Sequence, residues 1–291
     1  MNTIEGLIKK AKNIPSLPQV TSKLLTVFDD ANSQAKDVGR IIESDQSLAA
    51  QVLKQANSPF YGFPGRISTL QHAIVLMGFN AIKNLAIGSS VTRMKRTGAS
   101  AILGSEQFWE HSLGVGVGAR AIGKEIGYPC PEELLAAGLL HDTGKLILSD
   151  SFPKEYEEVV KEADERGEEI YQPEKRVLGG SHDDVGGWFT KENRFPCVLK
   201  ACVQYHHTPG SELSDEFITA VKIIHLADHL CKLEGIGWAG GTVCSEETED
   251  TCSAIGLTDE ARERVVDGLK AEVADTKAFF GITTPTKSGM C

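Results

Sequence analysis

The chain has 291 residues, 41% hydrophobic and 24% charged, as expected of a globular protein with a substantial core and more than one folding unit. A formal net charge of -10 argues against a broad nucleic-acid surface, but leaves room for a local basic pocket around a phosphorylated small molecule. Seven cysteines without a CxxC pair argue for free thiols over a zinc ribbon, and no apolar run reaches the length of a membrane span, so a cytoplasmic location is expected.

After Leu17-Pro18, VTSKLLTVFDD places Val20, Leu24, Val27 and Phe28 at helical spacing. Ser33 is expected to cap a helix beginning near Ala35, which VGRIIESDQSLAAQVLKQANS continues. SPFYGFPGRISTL, with two prolines and two glycines, reads as a turn-rich connection. TLQHAIVLMGFNAIKNLAIGSSV is helical again, with Gly78 either tolerated or dividing two shorter helices; His72 within it is read as structural, contacting the next domain. RMKRTGASAILGSE marks a boundary, dividing 1–98 from 99–234, and Arg93, Lys95 and Arg96 read as a solvated linker face. In the final segment, 235–291, GIGWAGGTVCSEETEDT is expected to be a loop, and TDEARERVVDGLKAEVADTKAFFG an amphipathic helix capped by Thr258 or Asp259. No convincing alternating run occurs, so the fold class is all-α.

The histidines are concentrated after the boundary: His111 in FWEHS, His141-Asp142 in LLHDTGK, His182 in GGSHDDVGGWF, His206-His207 in VQYHHTP, with Asp228 in IHLADHL. Imidazoles and carboxylates contributed by separate helices are the usual metal ligands of a bundle core. The alternative for His141-Asp142 is a buried, mutually hydrogen-bonded pair, and for His182 a helix start with an acidic first turn. On a helix His206 and His207 would point in different directions, so one ion is not expected to take both. His225 and His229, without an HExxH glutamate, are read as structural; Phe108, Trp109, Trp188 and Phe189 are read as core. No serine-hydrolase elbow, P-loop or dinucleotide fingerprint is present.

His111, His141-Asp142 and Asp228 resemble the H…HD…D set of the HD superfamily of metal-dependent phosphohydrolases, and His182, His206 and His207 resemble further ligands of the HD-GYP cyclic-di-nucleotide phosphodiesterases. IPSLPQVTSKLLTVFDD, IIESDQSLAAQVLKQANSPFYGFPGRISTLQHAIVLMGF and GLLHDTGKLIL resemble an HDOD domain, an output module of bacterial signalling proteins, over roughly residues 14 to 232. The resemblance implies an N-terminal helical bundle packed on an HD-type helical domain. It implies a divalent transition metal, one or two ions of iron, manganese or zinc. One would be held by His111, His141, Asp142 and Asp228; a second would share Asp142 and take His182 and His206, with His207 nearby. If the site is active, Asp142 and Lys145 would be its catalytic residues. The HD-GYP pattern fails after the histidine pair, where Thr208-Pro209-Gly210 stands, and no Gly-Tyr-Pro occurs. HDOD proteins as a group are regarded as regulatory. The leading expectation is therefore a bacterial signal-transduction protein with an HD-type metal site. Its partner would be a signalling protein or a phosphorylated small molecule, with neither nucleic acid nor membrane involved. The alternatives are a phosphohydrolase acting on a nucleotide or cyclic dinucleotide, and a protein-interaction scaffold. No receiver, GGDEF or EAL-like segment is attached in this sequence, so input is expected to arrive by non-covalent contact.

Overall fold

The computed structural model describes residues 4–280 apart from 12, 13, 15, 29, 31, 59, 60, 93–105, 211, 212 and 238–244. Among these residues there are sixteen α-helices and no strand, in line with the all-α expectation. The first group comprises α1 (Ile4–Lys10), α2 (Gln19–Phe28), α3 (Ala35–Glu43), α4 (Gln46–Ala56), α5 (Leu70–Met77) and α6 (Phe79–Thr92). α2 packs on α3 and α6, and α5 lies across α3 and α4. Leu24, Val38, Ile42, Leu48, Val52, Ile74 and Ile82 are fully buried between them, so removal of apolar surface from water holds this group together.

Local signals set the helix ends. Asp45 accepts a hydrogen bond from the Leu48 N–H at 3.0 Å, and Thr69 one from the His72 N–H at 3.3 Å. Ser33 does not cap α3 as expected; its hydroxyl donates to the Val27 carbonyl, and Gln34 is the capping residue, its N–H donating to Asp37. Gly78, at a φ of 81°, divides α5 from α6 with a bend of 111°, which settles the ambiguity at that position. His72 is exposed. The buried stripe of α5 runs through Leu70, Ala73 and Ile74, and His72 falls outside it. The expected boundary, including Arg93, Lys95 and Arg96, lies outside the described residues.

The second group comprises α7 (Glu106–Glu125), α8 (Pro131–Leu140), α9 (Thr143–Ser151), α10 (Pro153–Arg166), α11 (Tyr171–Val177), α12 (His182–Glu192), α13 (Cys197–Tyr205), α14 (Asp215–Leu233), α15 (Ser245–Ile255) and α16 (Asp259–Phe280). α7 is the central helix, packed against α8, α14 and α16, while α6 packs on α8 and joins the two groups. Small residues bring α7 and α8 together: a Cβ added at Gly138 would lie 2.3 Å from the Gly116 Cα. Phe108, Trp109 and Phe189 are buried, and Trp188 is partly buried, as core aromatics. Cys202, Cys231 and Cys252 are buried free thiols.

The C-terminal part differs from expectation in one respect. SEETEDTCSAI is helical (α15), although the acidic run was expected to be a loop. Thr248, Thr251 and Cys252 are buried, so the segment has an inner face that its charge density conceals. α16 begins where Thr258 accepts a hydrogen bond from the Ala261 N–H at 3.3 Å. Among the described residues no single helix is long and apolar enough to cross a membrane.

Candidate metal centre

Five structural positions converge: His111 in the first turns of α7, His141-Asp142 between α8 and α9, His182 opening α12, His206-His207 just after α13, and Asp228 in α14. The side chains of His111, His141, Asp142, His182, His206 and Asp228 are essentially inaccessible to water, and that of His207 is only 3% exposed. LLHDTGK reads as core because it is core. Gly144 lets it fit, since a Cβ there would lie 1.9 Å from the His182 carbonyl oxygen. The first turn of α9 thus rests on the backbone of α12, and Asp142 comes within 3.3 Å of the His182 imidazole.

The cluster has two lobes with Asp142 between them. In the first, His111 Nε2 is 2.9 Å from Asp228 Oδ1, and His141 Nε2 is 3.3 Å from Asp142 Oδ2 and 4.0 Å from Asp228 Oδ1. In the second, Asp142 Oδ1 is 3.3 Å from His182 Nε2 and 3.7 Å from His206 Nε2. His182 Nε2 is also 3.3 Å from His206 Nε2 and 2.9 Å from His207 Nε2. His206 and His207 therefore turn toward the same point, contrary to the expectation from helical geometry. α13 ends at Tyr205, and the pair follows it in a turn, with the two ring centroids 4.1 Å apart.

Proton placement defines what the cluster presents. A neutral imidazole carries one N–H, and each ring here directs Nδ1 at an atom that can only accept. His141 Nδ1 faces the Gly138 carbonyl at 2.7 Å, His206 Nδ1 the Val203 carbonyl at 2.9 Å, and His111 Nδ1 the Ile236 carbonyl at 3.4 Å. His182 Nδ1 is 2.6 Å from Glu174 Oε2, and His207 Nδ1 is 2.8 Å from Glu169 Oε2. With the protons so placed, Nε2 of His141, His206 and His207 presents a lone pair to the cluster, whereas His182, backed by Glu174, aims its Nε2 at His206, His207 and Asp142 Oδ1, and His111 Nε2 meets Asp228 Oδ1. His111 Nε2, His141 Nε2, Asp142 Oδ1 and Asp228 Oδ1 are buried with no hydrogen-bond partner outside the cluster. Buried polar atoms left this way are costly, and a cation among them is the arrangement that satisfies all of them. The donor set fits such an ion: Asp142, His182, His206 and His207 offer ligand atoms within 4.8 Å of one another, as do His111, His141 and Asp142.

The surrounding charges reinforce this polarity. Lys145 donates to Asp142 Oδ2 and Lys232 to Asp228 Oδ2, each at 2.7 Å. Burial alone would raise both carboxyls, but His141 and Lys145 beside Asp142, and Lys232 and His111 beside Asp228, hold them well below the usual range. Burial would lower His182, yet Glu174 outweighs it and raises that imidazole to about 9. His206 and His207 are pushed well below the ordinary value, by burial and then by neighbouring imidazoles. Among these three rings only one position favours a positive charge.

Several participants escaped sequence reasoning. Glu174 is fully buried; it accepts from the His182 backbone N–H at 2.7 Å and from the Tyr156 hydroxyl at 2.6 Å, besides facing the ring. Glu169 reaches His207, and Lys232 stands one helical turn after Asp228. His225 supports the turn after α13, its Nδ1 lying 2.7 Å from the His206 carbonyl, which is a structural position.

Comparison with known proteins places this geometry in context. A family model described as HDOD domain matches residues 14–209. A solved HDOD domain protein of unknown function from Geobacter sulfurreducens is 25% identical, with a TM-score of 0.72 and 95% of each chain covered. A Shewanella amazonensis protein carrying the provisional name phosphohydrolase is 21% identical, with a TM-score of 0.66 and 95% of each chain covered. At that identity the likeness speaks to fold alone. An uncharacterized protein of Treponema pallidum is 23% identical over 209 residues, 68% of this chain and 39% of its own length. The match thus spans well under half of that curated relative.

Proposed function

The chain belongs to the HDOD family, and from that premise we propose a bacterial signalling regulator whose buried His/Asp centre holds a divalent transition metal. The observation that carries the reading is the buried convergence of imidazole Nε2 and carboxylate Oδ1 atoms in two lobes that share Asp142. His111, His141, Asp142, His182, His206, His207 and Asp228 are the residues that would hold metal, with iron, manganese and zinc all suited to mixed imidazole and carboxylate donors. Bound there, a divalent ion supplies countercharge to the carboxylates and a Lewis-acidic centre. The chain's own residues do the rest: Glu174 and Glu169 orient two imidazoles, and α7, α8, α9, α12, α13 and α14 are tied through one set of side chains. A centre that ties these helices makes their relative placement depend on its occupancy, and a protein partner reading that placement is the output this architecture supports. A signalling protein is the proposed partner, with a phosphorylated small molecule as the alternative input.

Elemental analysis of the purified chain tests the reading. At least one tightly held transition ion per chain is expected, with chelation lowering the melting temperature. A folded, metal-free chain that cannot be loaded would overturn it.

Hydrolysis is the second reading, favoured by the presence of every member of the H…HD…D set within one cluster. Burial weighs against it, because a phosphate ester reaches these atoms only if the helices part. Assay of phosphate-ester and cyclic-dinucleotide hydrolysis with manganese or iron, against Asp142→Ala, decides between them. Turnover lost in the variant supports hydrolysis; equal background in both chains removes it.

A further inference from the structure

Resting on the metal-binding reading and sharpening it, we propose that the centre holds one ion, in the lobe of His182, His206, His207 and Asp142 Oδ1. Lys145 and Lys232 stand in for a second ion in the other lobe. Three observations lead there.

The first concerns the carboxylate oxygens. An aspartate bridges two ions by giving one oxygen to each, but Asp142 Oδ2 is already engaged by the Lys145 ammonium at 2.7 Å. Lys232 holds Asp228 Oδ2 in the same way, also at 2.7 Å. Each aspartate is left with Oδ1 alone, and neither Oδ1 has a partner other than the histidines of the cluster.

The second concerns donor quality. A carboxylate behind an imidazole fixes its tautomer and raises its basicity toward a metal. His182 and His207 are backed by Glu174 and Glu169, at 2.6 and 2.8 Å. His111 and His141 are backed only by peptide carbonyls, the former at 3.4 Å. The second lobe offers three imidazoles and an open oxygen; the first offers two imidazoles and an open oxygen.

The third is charge. Asp142, Asp228, Glu174 and the partly open Glu169 face the ammonium groups of Lys145 and Lys232, directly or through the histidines. With the imidazoles neutral, as metal ligands are, four carboxylates against two ammonium groups leave at most two negative charges, which one divalent ion cancels. A second ion would leave the interior positive by two, at a desolvation cost that low-dielectric surroundings make severe.

The test is metal counting joined to anomalous scattering at the metal edge. Wild type reconstituted with excess manganese or zinc should hold one ion per chain, with its anomalous peak among His182, His206 and His207. His206→Gln should lower the affinity at least tenfold. Lys145→Met frees Asp142 Oδ2 and should raise the count toward two, and adding His111→Gln to it should return the count to one. Two ions in wild type, a peak between His111 and His141, or a Lys145→Met count that stays at one would each overturn the proposal while leaving metal binding intact. A wild-type chain that takes up no metal removes the underlying reading as well. Should a variant fail to fold, as judged by circular dichroism, the wild-type count and map decide alone.

Discussion

The two helical groups solve burial in opposite ways. Between α2 and α6 the interior is Leu24, Val38, Ile42, Leu48, Val52, Ile74 and Ile82, with polar exceptions confined to small or amide side chains such as Thr21, Asn84 and Ser90. Between α7 and α14 the interior also contains His111, His141, Asp142, Lys145, Glu174, His182, His206 and Asp228. Apolar burial is non-directional and tolerates small shifts, whereas buried charges and lone pairs require specific partners. A chain that keeps so many buried His, Asp, Glu and Lys side chains inside one group of helices and, among the described residues, none in the other has separated scaffold from centre. The separation can be broken by substitutions that should affect one property without the other.

The largest loss of stability is expected in the apolar group. Ile42→Ala removes a fully buried side chain, which costs about 2–5 kcal/mol depending on how far α3 can collapse toward α4 and α5. Denaturant unfolding should show that loss while metal content per folded chain stays the same; a parallel fall in metal would mean the groups are not energetically separable. Gly144→Ala comes next and has the opposite character. The added methyl meets the His182 carbonyl, so overpacking of about 1–3 kcal/mol is expected, together with loss of metal as α9 moves off α12. Unchanged metal content in a folded Gly144→Ala chain would disconnect that contact from the centre.

Smaller in stability, but more specific, is Glu174→Gln. The amide can still meet the His182 ring but no longer carries the charge behind it, and metal affinity should fall about 10–100-fold. Competition against a chromophoric chelator measures this directly. Affinity unchanged in Glu174→Gln would show that orientation, rather than charge, is what the glutamate supplies.

Legibility in the sequence followed the same division. Helices of the first group were readable because their apolar residues repeat at helical spacing, but their ends were not: the run from Ala35 was read as one helix capped by Ser33, whereas Gln34 caps α3 and Asp45 caps a separate α4. The residue types of the centre were readable too, since a histidine-aspartate pair inside LLHDTGKLIL contradicts its surroundings. Glu174 and Glu169 were not, because GEEIYQPEKR looks like a solvated charged run. Only the turn of α11 back toward α12 sends Glu174 inside, and no periodicity encodes that turn. His206 and His207 were misjudged for a related reason: their relative direction depends on α13 ending at Tyr205, and Pro209-Gly210 mark that end only to within a few residues. Lys232 had a usable signal, its spacing of four from Asp228, but surface pairs share it.

Two matched caps make the finest test of the separation. Asp45 accepts from the Leu48 N–H at the start of α4, and Asp184 accepts from the Ser181 N–H at 3.1 Å and its hydroxyl at 2.8 Å at the start of α12. Alanine at Asp45 removes the N-cap acceptor of α4, and alanine at Asp184 removes the N3 half of the capping box at Ser181, each worth about 1 kcal/mol of stability. The two losses should therefore be nearly equal in thermal unfolding of the metal-free chain. They should diverge once metal is added. Asp45→Ala leaves the centre untouched and should keep the full stabilisation that metal confers. Asp184→Ala frays the turn that presents His182, so the same concentration of metal should stabilise it less. Equal metal-induced shifts in the two variants would mean that the entry into α12 is held by Glu174 and the packing at Gly144 alone, with its cap contributing only to the helix.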